Sequence, residues 1–255
     1  MKKSILITGA TAGFGEACAL KFAADGEKII ITGRRQERLD SLAKKIQETY
    51  NTPVLTLCFD VQNRQAVLDT INHLSPEWQT IDVLVNNAGL ALGRDNFDVA
   101  SLDDWDTMID TNLKGLAYMS HTVVQNMIKN GSGHIINISS ISGKEVYAQG
   151  NMYCATKHAV TALSESMRID LLKYNIKVTA IHPGAANTEF SNVRFKGNQQ
   201  TADAVYAGIE PLVANDIANV VHYVTTLPAH VCINDLIVTC TQQANSFYTY
   251  RKAES

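Results

Sequence analysis

Ser4-Ile5-Leu6-Ile7-Thr8-Gly9-Ala10-Thr11-Ala12-Gly13-Phe14-Gly15 decides the fold of this chain. A run of β-favouring residues ends at Thr8, and a helical pattern runs from Gly15 to Ala24. Between them lies G-x-x-x-G-x-G, spaced differently from the more familiar G-x-G-x-x-G loop. The physics is shared. Glycines let the backbone turn tightly and approach an anion, and the N-terminus of the next helix favours negative charge. Strand, glycine loop and helix in that order predict a pyrophosphate cradle built from Gly9, Thr11, Gly13, Phe14 and Gly15.

The same alternation continues outward. Lys28–Thr32, Val54–Cys58, Ile81–Val85, His134–Ser139, Lys177–Ile181 and Leu236–Thr239 read as further strands. Helical patterns separate them, through Leu39, Leu42, Ala43 and Ile46, around Val67 and Ile71, and over Leu113–Met127 and Met152–Leu172. Continuously apolar strands with crossover helices predict a buried parallel sheet, and right-handed crossovers make it doubly wound. The expected architecture is α/β: one Rossmann-type domain over residues 1–255, with about seven parallel strands and helices on both faces. Residues 187–204 are polar and contain Gly197-Asn198-Gln199-Gln200, so they are expected to form a mobile flap over the site. In such sheets ligands bind at the carboxyl ends of the strands.

Composition narrows the function. A chain of 255 residues, 45% hydrophobic and 18% charged, can bury one sizeable core and is not disordered. A net charge of −3 does not suit a protein that binds nucleic acid by blanket phosphate neutralisation. No apolar run reaches the ~18 residues of a membrane span. Met1-Lys2-Lys3 followed by the apolar run imitates a secretion signal, but the run is short and enters a glycine turn. It reads instead as the first strand of a cytoplasmic protein. The five cysteines form no C-x-x-C pair and the seven histidines no H-E-x-x-H pattern, so neither a disulfide framework nor a metal site is expected.

The second strand ends in Thr32-Gly33-Arg34-Arg35. An acid usually stands here when the ribose 2′-hydroxyl is recognised; Gly33 takes its place, and two guanidinium forks suit a 2′-phosphate. The expected cofactor is therefore NADP(H). Asp60, before Val61 at the end of the third strand, can accept from an adenine amino group or serve as a helix N-cap. Asn87, Ala88 and Gly89, in Asn86-Asn87-Ala88-Gly89, are small and polar where the backbone has to approach a ligand.

Tyr153-Cys154-Ala155-Thr156-Lys157 puts a phenol and an ammonium on one helix face. A neighbouring Lys⁺ favours phenolate, which predicts Tyr153 as general base for alcohol oxidation and general acid for carbonyl reduction. Tyr248 and Lys252 repeat the spacing, but no serine-bearing strand precedes them. Tyr153 has two serines upstream, Ser139 and Ser140, which strand alternation turns in different directions.

In these motifs the chain resembles the short-chain dehydrogenase/reductase family. They are T-G-x-x-x-G-x-G at Thr8–Gly15, Asn86-Asn87-Ala88-Gly89, Asn112, Ser140, Tyr153-x-x-x-Lys157, and Pro183-Gly184 followed by Thr188. The resemblance covers nearly the whole chain and implies the roles. Ser140 would orient the substrate carbonyl, and Tyr153 would transfer the proton. Lys157 would lower the phenol pKa and bind the nicotinamide ribose, and Asn112 would hold a relay water. Pro183, Gly184 and Thr188 would position the carboxamide. The family also implies a homotetramer.

A narrower resemblance is to NADP-dependent 3-hydroxy acid dehydrogenases, which act on serine, L-allo-threonine and related acids. It rests on Gly33–Leu39, Asn86–Gly93, Thr188–Gly197 and Thr226–Val231, with a segment between Gly184 and Thr188 that is shorter by a residue or two. A short hydroxy acid needs a cation for its carboxylate, and Arg194 in the flap is the candidate. The alternatives are a broad-specificity carbonyl or 3-oxoacyl reductase and a non-catalytic NADP(H)-binding regulator.

Overall fold

In the computed structural model, which describes residues 2–252, seven parallel strands form one sheet in the order β3-β2-β1-β4-β5-β6-β7. Met1 and residues 253–255, part of the expected domain, lie outside the described residues. The strands are β1 (Ser4–Ile7), β2 (Lys28–Gly33), β3 (Val54–Cys58), β4 (Val83–Asn86), β5 (Gly133–Ile138), β6 (Ile176–Pro183) and β7 (Asp235–Val238). Every expected strand is present, with ends moved by a residue or two.

Alternation along buried strands feeds two cores. Ile5, Ile7, Ile29 and Ile31 point into one, against α1 (Gly13–Ala24), α2 (Gln36–Tyr50) and α9 (Ala214–Thr226). Leu6, Ile30 and Leu84 point into the other, against α3 (Arg64–Asn72) and α5 (Leu116–Asn130). Helix α1 is apolar and small on several sides, burying Ala17, Cys18, Ala19, Phe22 and Ala23, because it is wedged between the sheet and α9. Helix α2 carries one stripe, Leu39, Leu42 and Ile46, and is open to water elsewhere.

Three differences from the sequence reading matter for the site. Asp60 is not a helix N-cap: Asn63 caps α3 by accepting from the Ala66 amide at 3.0 Å, and Asp60 instead accepts from Gln62 N at 3.0 Å to shape the preceding turn. The helix expected from Leu113 begins earlier, as α4 (Leu102–Ile109), and passes through a π turn at Asp110–Gly115 before α5. The polar stretch 187–204 is partly helical, with α7 (Glu189–Arg194) and α8 (Gln199–Ala204) capped by the Thr188 and Asn198 side chains. Helix α6 (Asn151–Leu171) lies close to its expected place. No helix among the described residues is long and apolar enough to cross a membrane.

Candidate active site

Strand order reverses between β1 and β4, so the loops after them diverge and leave a crevice at the carboxyl edge of the sheet. A cavity of about 520 Å³ occupies it. Its lining includes every expected site residue except Gly15 and Asn112, which stand directly behind it. Arg34, Arg35, Asp60 and Val61 lie on its walls together with Ser140, Tyr153 and Arg194.

The glycine loop fits a pyrophosphate. Gly9 and Gly13 adopt φ of +65° and +56°, where side chains are strained. A Cβ on Gly15 would lie 2.5 Å from both Asn87 Nδ2 and Gly9 O, so this turn has no room for one. Ala12 precedes α1 and supplies no side-chain cap, which leaves amides of the first turn for an anion. Thr8 locks the loop to the next wall: its Oγ1 accepts from Asn87 N at 3.0 Å and Ala88 N at 2.9 Å. Asn87 returns hydrogen bonds from Nδ2 to Thr8 O (2.9 Å) and Gly9 O (3.0 Å).

At the β2 end, Arg35 donates from Nε and Nη2 to Thr11 Oγ1 at 3.2 and 2.7 Å, against the glycine loop. Arg34 pairs with Asp60 at 3.4 Å. Both guanidinium groups are largely open to solvent and to the cavity. These residues fit a dinucleotide bearing a 2′-phosphate.

At the other end, Ser139 and Ser140 part company. Ser139 Oγ donates to Lys157 O at 3.1 Å, while Ser140 opens a short turn and its Oγ also accepts from Ser142 N at 3.1 Å. Burial holds the Tyr153 phenol well above the usual tyrosine range; Tyr147 raises it further, and Ser140 and the Arg194 charge pull it down. Lys157, expected to lower the phenol, lies beside it in the structure. Its Nζ donates to Ile138 O at 2.9 Å and sits 5.9 Å from the Tyr153 ring centre, and burial pushes the ammonium down to about 8. Both members of the pair are buried, and desolvation is the leading cause of both shifts.

Asn112 lies in the π turn. Its Oδ1 accepts from Leu90 N at 2.8 Å, and its Nδ2 donates to Leu90 O at 2.8 Å and to Thr156 Oγ1 at 3.1 Å. The side chain joins the π turn to the loop after β4 and to α6. A π turn in a helix frequently marks a functional position.

Arg194, on α7, is fixed over the Tyr153 ring. Nε donates to Gly93 O at 3.2 Å and Nη1 to Tyr147 Oη at 3.1 Å, with Cζ 5.6 Å from the Tyr153 ring centre. Tyr147, Arg38, Glu189 and Gln243 were not singled out from sequence. Arg38 and Glu189 form an ion pair at 2.7 Å, and Gln243 Oε1 accepts from Ala185 N at 2.7 Å just beyond Pro183-Gly184. Their partners lie far along the chain, so no local pattern marks them. Among the described residues no cluster of His, Cys, Asp and Glu is arranged to hold a metal ion.

A reversal point, a glycine cradle and a buried Ser-Tyr-Lys set define a class, and the family comparison agrees: residues 3–199 match the short chain dehydrogenase family, to which this chain belongs. It is 49% identical over 231 residues to an NADP-dependent 3-hydroxy acid dehydrogenase of Salmonella typhi, spanning 90% of this chain and 92% of that protein. It is 40% identical over 254 residues to the serine 3-dehydrogenase of Agrobacterium fabrum, covering 99% of this chain and 100% of that one. The fold superposes on the closed form of a serine dehydrogenase complexed with NADP+ with a TM-score of 0.91 and 44% identity, over 98% of this chain and 100% of the other.

Proposed function

We propose that this protein is an NADP(H)-dependent oxidoreductase that interconverts a short 3-hydroxy acid and its 3-oxo acid, of the serine, L-allo-threonine or 3-hydroxypropionate type. The observation that carries this reading is the Arg194 guanidinium, 5.6 Å from the Tyr153 ring centre in the same cavity as Ser140. Gly93 and Tyr147 hold two of its donors, and the rest of the fork is left for a carboxylate. The names of the relatives support the same substrate class.

The bound nicotinamide supplies a hydride to the substrate carbon, or takes one from it. The protein supplies the rest. Ser140 holds the substrate oxygen, Tyr153 gives it a proton on reduction and removes one on oxidation, and Arg194 holds the carboxylate. Lys157 stands against Tyr153 and Ile138, where it positions the ribose side of the cofactor. Gly9, Thr11, Gly13, Phe14 and Gly15 cradle the pyrophosphate, and Arg34 and Arg35 take the 2′-phosphate. Asp60 and Val61 face the adenine; Asn87, Ala88, Gly89, Pro183, Gly184 and Thr188 bracket the nicotinamide half. The test measures NADP+ and NAD+ reduction on a panel of hydroxy acids, their methyl esters and simple secondary alcohols. Preference for acids with NADP+ is expected. Equal turnover of esters and alcohols would refute the acid reading in favour of a broad carbonyl reductase.

We further propose one domain over residues 1–255 whose flap, residues 187–204, closes on the substrate. A homotetramer is proposed on the exposed Ile169 of α6 and the adjacent Leu172, which suit a subunit contact. A cytoplasmic location is proposed on the five unpaired cysteines, which suit a reducing compartment.

A further inference from the structure

The flap is tied down at two places. Near its start, Glu189, the first residue of α7, reaches two arginines at the start of α2: Arg38 Nη1 donates to Oε1 and Oε2 at 2.7 and 2.9 Å, and Arg35 Nη1, just before that helix, to Oε2 at 3.4 Å. Farther along, Gly93 N donates to Arg194 O at 3.0 Å, and Lys196 pairs with the well-covered Asp104 at 2.9 Å. The second tie belongs to the substrate side. The first rests on Arg35, one of the two cations assigned to the 2′-phosphate, and on its neighbour Arg38.

Glu189 is not needed to start its helix, because Thr188 caps α7 by accepting from Phe190 N at 3.3 Å. Its side chain is 49% exposed and fills no core. Its visible task is to place a carboxylate between Arg35 and Arg38. Arg35 already spends Nε and Nη2 on Thr11, so its remaining edge, Nη1, is the one facing Glu189.

We propose that Glu189 occupies the cations of the 2′-phosphate site as an internal anion, so that a phosphorylated cofactor displaces it and releases the near end of the flap, while a cofactor without that phosphate leaves it clasped. The inference rests on the NADP(H) assignment to Arg34 and Arg35 and adds Arg38 and Glu189 to the recognition of that phosphate. A phosphate dianion makes stronger charge-assisted bonds to guanidinium than a carboxylate does, which gives the exchange its direction. Coupling between two ligands of one set of cations is reciprocal: what weakens the clasp tightens the phosphate, by the same factor.

The test compares adenosine 2′,5′-bisphosphate with adenosine 5′-monophosphate, which differ by the 2′-phosphate alone. Dissociation constants are measured calorimetrically for the wild type and Glu189→Gln, alongside hydrogen exchange of Glu189–Arg194. Glu189→Gln is expected to bind the bisphosphate about two- to fivefold more tightly, the range of a solvent-exposed ion pair, with the monophosphate unchanged. In the wild type the bisphosphate, but not the monophosphate, raises exchange in α7, and in Glu189→Gln exchange is already raised without ligand. Unchanged or weaker bisphosphate binding in the variant, equal tightening of both ligands, or an α7 that exchanges alike in all states would overturn the proposal. A wild type that binds the two ligands equally would overturn the 2′-phosphate assignment along with it. A wild type that prefers the bisphosphate, with Glu189→Gln unchanged, would overturn the role of Glu189 alone.

Discussion

Replacing Arg194 with alanine removes the guanidinium set 5.6 Å from the Tyr153 ring centre, and the structure bounds the effect. A carboxylate gripped by the guanidinium fork gains two charge-assisted hydrogen bonds, worth ~1.5–3 kcal/mol each. The group is half-buried, so water takes over part of the lost interaction and the net loss is about 2–4 kcal/mol. That corresponds to a fall of roughly 30- to 1,000-fold in kcat/KM for the acid, carried mostly by KM because the carboxylate does not react. The flap keeps its other ties, since Gly93 N still meets the main-chain carbonyl of residue 194 and Lys196 still meets Asp104. The assay therefore compares each hydroxy acid with its methyl ester in wild type and Arg194→Ala. The ester has no charge to grip and should change by less than about threefold. Arg194→Lys restores the charge without the fork and should fall between the two. Equal losses on acid and ester would refute the clamp, because they would mean that Arg194 merely packs the flap against Tyr147 and Gly93.

Tyr153→Phe should lower kcat by ~10²–10⁴-fold with NADPH binding nearly intact, whereas Tyr248→Phe, whose ring is 72% exposed, should leave kcat unchanged. More than about a tenth of wild-type kcat in the Tyr153 variant would exclude its role in proton transfer. Neutralising Arg34 and Arg35 together should weaken NADPH far more than NADH, by ~1.5–3 kcal/mol for each charge-assisted bond; an unaltered preference would remove the 2′-phosphate from this end of the cavity. Burial lowers the Lys157 ammonium from 10.5 to about 8, so between those values the unfolded chain holds a proton that the folded one has lost, and stability rises with pH across that window. Urea unfolding of wild type and Lys157→Met should accordingly shift in favour of the wild type by roughly 2–3 kcal/mol from pH 7 to pH 10, and a constant difference would contradict the depressed lysine.

Much of this was legible in the chain itself. The glycine spacing, the apolar strands and the four-residue step from Tyr153 to Lys157 are local patterns, and local backbone geometry ties each to one conformation. The strands fell within a residue or two of their expected ends. The weaker readings were those with a second local explanation: Asp60 resembled an N-cap until Asn63 filled that position, and residues 187–204 lacked the apolar period that would have announced α7 and α8.

What folding alone decided is where side chains end and what surrounds them. Arg194 reaches Tyr147 across 47 residues, and Arg38 reaches Glu189 across 151. Asn112 turns its amide toward Leu90, 22 residues away. Burial also shifts both members of the Tyr153–Lys157 pair, raising the phenol and lowering the ammonium, since sequence shows the charge but not the burial. Sequence by itself therefore determined the sheet, the glycine turn after β1 and the placing of Tyr153 and Lys157 on one helix face, each set within one turn or one strand of backbone. The tertiary structure decided the contacts of Arg194 with Gly93 and Tyr147, those of Glu189 with Arg35 and Arg38, and the burial of Tyr153 and Lys157, which depend on distances between segments that no local pattern encodes.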